Sequence, residues 1–251
     1  MPDIRPTVLS IAGFDPSAGA GVLADIKTFE VCGVYGMGIV SALTFQNDIA
    51  FEKVEWFELS KIIEQIKVLQ KRFAFEYIKI GLIENLDVLN QLISYLRSSC
   101  TDVKIIWDPI LKASAGFEFY SIENQKLLEE ICAQLYLITP NIPEAIALGT
   151  NNNEQENVKY LSNFCNVYLR GGHSEEKKGV DFLFTKDGNE ILFPTTIDNV
   201  SAKHGSGCIL SSAITANLAK GFTLEEACWK AKKYITEFLL SNDTLLGYHK
   251  I

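Results

Sequence analysis

Long apolar runs are missing from this sequence: no uninterrupted stretch approaches the roughly 20 residues that a membrane-spanning helix needs. Positive charge is also scarce, because 23 Lys and Arg residues stand against 31 Asp and Glu residues, which gives a net charge of −8. A broad basic face for nucleic acid is therefore not expected. The first apolar stretch is too short for a secretory signal and lacks a basic start. We expect a cytoplasmic protein that binds neither membranes nor nucleic acid.

Paired cysteines are absent as well. The six cysteines are scattered, and no two of them form a CxxC pair: Cys32, Cys100, Cys132, Cys165, Cys208 and Cys228. In a cytosolic chain such cysteines are mostly small core residues, and no spacing here is that of a zinc site. The pattern GxxxxGK[ST] does not occur, which excludes a nucleotide site of the P-loop type.

What the sequence does contain is enough apolar material for one large domain. Its 251 residues are 47% apolar and 22% charged, which excludes a disordered chain. No composition shift, no linker rich in Gly, Pro or Ser, and no repeat with a period of about 20–50 residues divides it. We therefore predict a single domain over residues 1–251.

Short apolar runs alternate with longer segments of helical period. The runs that predict strands are 8–12, 39–44, 77–80, 104–107, 135–138, 167–169, 181–184 and 191–193. The segments that predict helices are 23–31, 59–73, 88–98, 122–133 and 154–164, the last with Asn residues as candidate caps. This alternation predicts an α/β three-layer sandwich with a mostly parallel sheet. The Asp187-Gly188 turn predicts a late antiparallel hairpin at one edge.

Four motifs follow predicted strands, at the end of the sheet where open α/β folds bind ligands. The first is GFDPSAGAG at 13–21, whose glycines let the backbone approach a ligand and whose following helix offers free N–H groups. Its alternative is a tight turn with no ligand. The second is Trp107-Asp108-Pro109, whose carboxylate suits a magnesium ligand or a phosphate site. Its alternative is a turn cap.

The third motif, TPNIPE at 139–144, places Asn141 and Glu144 three residues apart, so that both can face one side of a turn. Oxygen groups of this kind suit magnesium, which usually needs only one or two carboxylates. A capping arrangement is the alternative. On a further strand, Arg170 precedes Gly171 and Gly172 and could offer a cation to phosphate. The next residue, His173, is not expected to be a catalyst.

The fourth motif, KHGSGC at 203–208, leads into a helix predicted over residues 209–218. Glycines at a helix start expose N–H groups that can form an anion hole and stabilise the charge developing in phosphoryl transfer. Cys208 falls in the first turn, where the helix dipole is expected to lower the pKa of the thiol and favour the thiolate. A buried structural cysteine is the alternative.

Taken together and in this order, these motifs resemble the ribokinase superfamily, and within it the hydroxymethylpyrimidine/phosphomethylpyrimidine kinases of thiamine biosynthesis. The similarity runs from Ile11 to about Leu240 and includes ADIKTF at 24–29, ALTFQN at 42–47 and KIG at 79–81. Most ribokinase-like sugar kinases place Asp where this chain has Cys208. A sugar or nucleoside kinase is therefore less consistent with the sequence.

The resemblance implies a ribokinase-like fold, ATP and Mg²⁺ as cofactors, a small pyrimidine substrate and a homodimer. It assigns Cys208 a base or substrate-orienting role, and it assigns the anion hole to the amides of Gly205, Ser206, Gly207 and Cys208. The substrate-binding residues that it implies are Gly13, Asp25, Gln46, Leu82 and Asp108. The implied nucleotide- or phosphate-binding residues are Asn141, Arg170, Gly171 and Lys203, and the implied magnesium ligands are Asp108 and Glu144.

A physical argument supports Gln46, because an aminopyrimidine edge presents an acceptor beside a donor and a Gln amide can pair with both. The chain departs from the family pattern at three places: Ala18 stands for Gly, Arg170 for Lys, and Ser114-Ala115-Gly116 for Lys-Ser-Gly. Two alternatives stay open. One is a pyridoxal kinase, since pyridoxal is also a six-membered heteroaromatic with a hydroxymethyl group. The other is a non-catalytic pyrimidine-binding homologue, which Ser114 favours slightly.

Overall fold

The computed structural model describes residues 5–100, 102–113, 115–171, 179–195 and 202–250. The strands within these ranges are β1 (Thr7–Phe14), β2 (Tyr35–Gln46), β3 (Phe51–Trp56), β4 (Tyr77–Ile80), β5 (Lys104–Trp107), β6 (Leu137–Ile138), β7 (Asn166–Leu169), β8 (Asp181–Phe184) and β9 (Glu190–Phe193). The helices are α1 (Gly21–Val31), α2 (Leu59–Gln70), α3 (Leu86–Ser99), α4 (Gln125–Cys132), α5 (Ile142–Ala147), α6 (Glu154–Leu161), α7 (Ser206–Ala219) and α8 (Leu224–Leu239).

All of these strands join one sheet in the order β3-β2-β1-β4-β5-β6-β7-β8-β9. The six strands from β2 to β7 along the sheet pair in parallel, and β8 and β9 form the antiparallel edge hairpin that the Asp-Gly turn predicts. The chain continues from β1 to β2 on one side and later to β4 on the other. The strand order therefore reverses at β1, and ligands bind beside such a reversal in open α/β sheets.

The strand β3 is absent from the sequence prediction. It pairs antiparallel with β2 and makes the second edge of the sheet. Its sequence, FEKVEW, contains three charged residues among six, and its side chains are half-buried or exposed. Without a buried face, it lacks the continuous apolar run that marks the strands of the parallel core.

Helices cover both faces of the sheet, which confirms the predicted α/β/α arrangement. One apolar cluster joins α2, α3, α4 and α6 to the first face, around residues such as Ile66, Leu92 and Leu128. A second cluster joins α1, α7 and α8 to the other face, around Ile209 and Ile214. No helix in the described ranges is both long and apolar enough to cross a membrane.

Local capping sets the start of α4 later than the apolar period indicates. The side chain of Asn124 accepts a hydrogen bond from the Leu127 amide, so α4 begins at Gln125 instead of residue 122. Asn153 caps α6 in the same way, which confirms the Asn caps expected there. These side chains satisfy N–H groups that otherwise have no partner in the first turn of a helix.

Candidate active site

The first turn of α7 lies at the carboxyl ends of the central strands. Its cap residue, Gly205, has a φ of +73°, in the left-handed region that favours glycine. A methyl group at this position would overlap the carbonyl oxygen of Gly19 in the first glycine loop. Glycine at 205 therefore lets the two loops touch. The helix begins at Ser206, three residues before the predicted start, which puts the Gly207 and Cys208 amides in the turn that offers free N–H groups.

The first glycine loop is folded around the carboxylate of Asp15. This carboxylate accepts hydrogen bonds from the amides of Ser17 and Ala20, at 2.9 Å and 2.8 Å. His204 Nε2 lies 2.8 Å from Asp15 Oδ2 and ties the loop to the α7 motif. Burial acts to raise the pKa of Asp15, but these hydrogen bonds outweigh it and hold the pKa below its ordinary value. Asp15 and His204 thus fix how the two loops meet.

Cys208 is a buried thiol, and the prediction of a thiolate is wrong. Burial raises the pKa of Cys208 to about 12, with the nearby carboxylates of Asp108 and Asp25 adding to the rise. The charge of Lys79 and the Gly21 N–H, which donates to the sulfur, offset only part of it. The helix dipole does not lower the pKa of this thiol below its ordinary value, because the sulfur is desolvated and faces two negative groups.

Asp25 does not line an open pocket, contrary to the prediction. It is fully buried in α1, and its Oδ1 lies 2.5 Å from Nζ of Lys79. The hydroxyls of Ser10 and Ser212 donate to the same carboxylate, at 2.6 Å and 2.7 Å. With these three partners around it, Asp25 has no face left for a substrate.

Asp108 and Glu144 converge on Arg170, which follows β7. Arg170 Nη2 lies 2.7 Å from Glu144 Oε2 and 3.3 Å from Asp108 Oδ1. The second oxygen of Asp108 accepts from the hydroxyl of Ser211 in α7, at 3.2 Å. Burial raises the pKa of Glu144 to about 7, although Arg170 counteracts it. The strand ends of β5 and β7 and the start of α5 thus form one buried cluster of two carboxylates and a guanidinium.

This cluster suits Mg²⁺ by the chemistry of its donors, because Mg²⁺ is commonly held by one or two carboxylates together with substrate phosphates. Its carboxylates do not make a metal site alone: the described part of the chain holds no group of three or more His, Cys, Asp or Glu side chains that could bind a metal. The guanidinium of Arg170 lies where the carboxylates converge. Its Nε is buried without a partner among the described residues, so the group is not fully satisfied in this position.

The motif at 139–144 forms the capping arrangement that was its alternative interpretation. Asn141 Oδ1 accepts from the Glu144 amide at 2.9 Å, and Glu144 Oε2 accepts from the Asn141 amide at 2.8 Å. The two side chains close a capping box at the start of α5. Asn141 therefore shapes the site by holding Glu144, and its predicted contact with the nucleotide has no geometric support here.

Two further predicted phosphate contacts are corrected by the structure. Lys203 is buried, and its ammonium donates to the backbone carbonyls of Asn242 and Thr244 and to the side chain of Asn242, so it anchors the C-terminal segment. The amide of Gly171 donates to Asp181 Oδ1 at 2.7 Å and is not open to a phosphate. Ser114, Gly172 and His173 lie outside the described residues.

The predicted substrate residues Gly13, Leu82 and Gln46 lie around one corner of the sheet. A methyl group at Gly13 would lie 2.9 Å from Leu82 Cδ2 and 3.6 Å from the Thr44 methyl group. The Thr44 hydroxyl donates to the Phe14 carbonyl at 2.8 Å and accepts from Gln46 Nε2 at 2.9 Å. These two hydrogen bonds orient the Gln46 amide, which is half-buried beside a small pocket of about 180 Å³.

Lys79, Ser211 and Ser212 belong to this centre but were not identified from the sequence as site residues. Lys79 is fully buried in β4. The sequence does contain a sign of this position, because a lysine within an otherwise apolar strand must have a buried partner. The two serines were interpreted only as small residues for close packing, since nothing in a sequence shows which carboxylate a serine faces.

A family model matches most of this chain, and known kinases are similar to it in sequence and in structure. The model described as phosphomethylpyrimidine kinase matches residues 15–250. The hydroxymethylpyrimidine/phosphomethylpyrimidine kinase of Staphylococcus aureus (strain MRSA252) is 34% identical over 244 residues, covering 93% of this chain and 88% of its own. The structure of phosphomethylpyrimidine kinase from Clostridium difficile 630 has a TM-score of 0.76 and 30% identity, covering 93% of this chain and 99% of that one. An ADP complex of Bacillus subtilis pyridoxal kinase has a TM-score of 0.79 and 27% identity, covering 93% and 91%.

Proposed function

The chain belongs to the phosphomethylpyrimidine kinase family, and we propose from this premise how its residues carry out the reaction. It is a phosphotransferase that uses ATP to phosphorylate hydroxymethylpyrimidine, and then its monophosphate to the diphosphate, in thiamine biosynthesis. One observation supports the assignment of the site most strongly. The first turn of α7 contacts Arg170 at Gly207, and its Cys208 sulfur accepts a hydrogen bond from the Gly21 amide in the first glycine loop.

The acceptor pyrimidine binds at the corner of Gly13, Leu82 and Gln46. One N–H of the Gln46 amide donates a hydrogen bond to the Thr44 hydroxyl. Its other N–H and its oxygen have no partner in the described ranges, and together they match the acceptor–donor edge of an aminopyrimidine. Because Gly13 has no side chain, the Leu82 side chain packs directly against the backbone of β1 at this corner. The proposal requires that the hydroxymethyl group of the bound ring face the first turn of α7.

The γ-phosphate of ATP is held at the first turn of α7. The free amides of Gly207 and Cys208 point toward it, and the positive end of the helix dipole favours the charge that develops during transfer. Arg170 supplies a cation beside this turn. Mg²⁺, when bound with the nucleotide, neutralises phosphate charge, and Asp108 and Glu144 are the residues that would hold it. Catalysis then rests mainly on positioning and charge stabilisation.

Cys208 is a neutral thiol in the resting site, so its first role is to orient the acceptor hydroxyl. In the first reaction the hydroxymethyl oxygen bonds to the γ-phosphorus, the bond from that phosphorus to the β–γ bridging oxygen breaks, and ADP leaves. The hydroxyl proton passes to solvent or to the thiolate form of Cys208. In the second reaction a phosphate oxygen of the monophosphate attacks, and no hydroxyl proton has to leave. Only the first step therefore needs a group that orients the hydroxyl and assists the loss of its proton.

Pyridoxal kinase is the second candidate function, because the pyridoxal kinase of Bacillus subtilis shares this fold at 27% identity. Pyridoxal also carries a hydroxymethyl group on a six-membered ring, but it lacks the amino group beside a ring nitrogen that Gln46 would read. The cytoplasmic location and the homodimer stay predictions.

The test is ADP formation from Mg-ATP with hydroxymethylpyrimidine, its monophosphate and pyridoxal in parallel, for the native chain and for Gln46→Ala. We expect turnover with both pyrimidines and a KM for them that rises about tenfold in the variant, as the loss of about 1.4 kcal/mol of hydrogen bonding requires. Turnover of pyridoxal alone would contradict the proposal and favour vitamin B6 salvage. Binding of pyrimidine without ADP formation would favour a non-catalytic homologue.

A further inference from the structure

A buried ion pair lies behind the first turn of α7. Lys79 and Asp25 are both fully buried, and Lys79 Nζ lies 2.5 Å from Asp25 Oδ1. Burial disfavours the charged ammonium, but Asp25 together with Cys208 and Asp108 outweighs it, so the pKa of Lys79 is raised and the lysine stays charged. The pair is a fully buried charged element between the sheet and the helices that cover it.

The pair joins four elements that meet under the site. Lys79 extends from β4 and Asp25 from α1, while the hydroxyls of Ser10 in β1 and Ser212 in α7 donate to the Asp25 carboxylate. Lys79 Nζ also lies 3.4 Å from the carbonyl oxygen of Cys208. The ion pair therefore contacts α7 twice, once at the residue that ends the KHGSGC motif and once a turn later.

Stability alone is a weak reason for such a pair. Replacing a buried ion pair by neutral groups of similar shape is often neutral or stabilising, whereas removal of one partner strands the other charge and destabilises strongly. The position of this pair indicates another reason. Its positive member lies 3.4 Å from the Cys208 carbonyl in the first turn of α7, and its negative member accepts a hydrogen bond from Ser212 one turn later.

We propose that Lys79 and Asp25 are positioning residues for phosphoryl transfer, which fix the first turn of α7 and the Cys208 thiol from behind. Neither residue touches a substrate. Lys79 holds the Cys208 carbonyl, and Asp25 holds Ser212, so the free amides of that turn keep one direction. The charge of Lys79 adds to the positive potential at the turn. This inference rests on the proposed function, because it assumes that the γ-phosphate binds there.

The double variant Lys79→Met/Asp25→Asn separates positioning from stability. It removes both charges, keeps the side-chain sizes, and leaves an amide for the hydroxyls of Ser10 and Ser212. Lys79→Met alone leaves Asp25 unpaired and serves as the destabilised reference. Thr215→Val is the matched control, because Thr215 is a fully buried residue of the same helix whose hydroxyl bonds only the Ser211 carbonyl in the described structure.

We expect the double variant to melt close to the native temperature and yet to lose at least tenfold in kcat, with little change in the KM of the pyrimidine. Thr215→Val should keep kcat within about twofold. A double variant with a near-native melting temperature and a native kcat would overturn the inference, because phosphoryl transfer would then not depend on the pair.

A milder variant covers the case in which the double variant does not fold. Ser212→Ala removes one hydrogen bond between α7 and Asp25 and leaves both charges in place. We expect a several-fold loss of kcat that Ser212→Thr partly restores. If Ser212→Ala and Thr215→Val have the same kcat, the inference is wrong.

Nucleotide binding gives a readout that does not depend on the acceptor. The affinities of the Mg complexes of ADP and of the non-hydrolysable triphosphate analogue AMP-PCP are measured by calorimetry. We expect the double variant, or Ser212→Ala, to weaken AMP-PCP at least fivefold more than ADP, because only the γ-phosphate reaches the first turn of α7. Equal weakening would contradict the inference. If the native chain phosphorylates no pyrimidine but shows this difference, the proposed acceptor fails while the positioning role stands.

Discussion

Replacement of Cys208 by alanine should separate the two phosphorylation steps. The pKa of the thiol is raised to about 12 by burial. At pH 7 about one thiol in 10⁵ is then ionised, and about five pKa units at 1.36 kcal/mol each correspond to about 7 kcal/mol. The neutral thiol already carries its proton, so Cys208 can accept the hydroxyl proton only through its small thiolate fraction.

The expected size of the effect follows from what each step needs. A positioned group that accepts a proton contributes about 10²–10⁴-fold to a rate, so Cys208→Ala should lower kcat of the hydroxymethyl step by that factor. The monophosphate step loses no hydroxyl proton, and we expect its kcat to fall less than tenfold. Cys208→Ser, which keeps a donor and acceptor of similar size, should recover part of the first step.

The assay follows each product separately by chromatography, with the melting temperature of each variant as the control for folding. The pH profile adds a second reading. Because the pKa is raised, the ionised fraction grows about tenfold per pH unit between pH 7 and 9, and the native first step should accelerate over this range. Equal losses in both steps, with a native profile that is flat in pH, would refute a proton-accepting role for Cys208.

Four further predictions concern other parts of the chain. Arg170→Ala should lower the unfolding free energy by about 3 kcal/mol, because it leaves Asp108 and Glu144 without a cation. Mg²⁺ should restore part of the melting temperature of this variant. If Mg²⁺ has no effect, the assignment of these two carboxylates to Mg²⁺ is contradicted. Arg170→Lys should keep most of the stability but raise the KM of ATP, since one point charge replaces a planar fork. Gly205→Ala should abolish turnover and cost about 1–3 kcal/mol of stability through its left-handed backbone; native-like kinetics would contradict it. Burial and Lys27 lower the pKa of His249 to about 4, so the unfolded chain binds the proton first and stability should fall as the pH drops from about 7 toward 4. His249→Gln should flatten this dependence in melting curves, and an unchanged slope would count against it.

The parallel core of the fold could be predicted because its strands carry their burial in the sequence. The bounds of β4, β5 and β8 agree with the apolar runs residue for residue. β3 could not be predicted in this way, because its exposed edge position needs no apolar face. The start of α7 was placed three residues late, since glycine and serine at its first turn have low helix propensity and only tertiary contact with the Gly19 loop fixes them.

The location of the site could be predicted from the sequence, but the contacts between its charged side chains could not. Asp108, Glu144 and Arg170 were each expected at strand ends, and the sheet brings them together. Which charge pairs with which could not be read from the sequence. Asp25 turns inward to Lys79, and Lys203 turns away to the C-terminal segment. The thiolate expected for Cys208 failed because desolvation depends on the atoms packed around the sulfur, and a motif does not show them.

The most direct test of the account is ³¹P nuclear magnetic resonance of the native chain with Mg-ATP and the pyrimidine monophosphate. The account predicts that the monophosphate signal is replaced by the two coupled signals of a diphosphate ester, in step with conversion of ATP to ADP. An unchanged monophosphate signal, from folded protein that converts pyridoxal and ATP to pyridoxal phosphate and ADP in the same buffer, would contradict it.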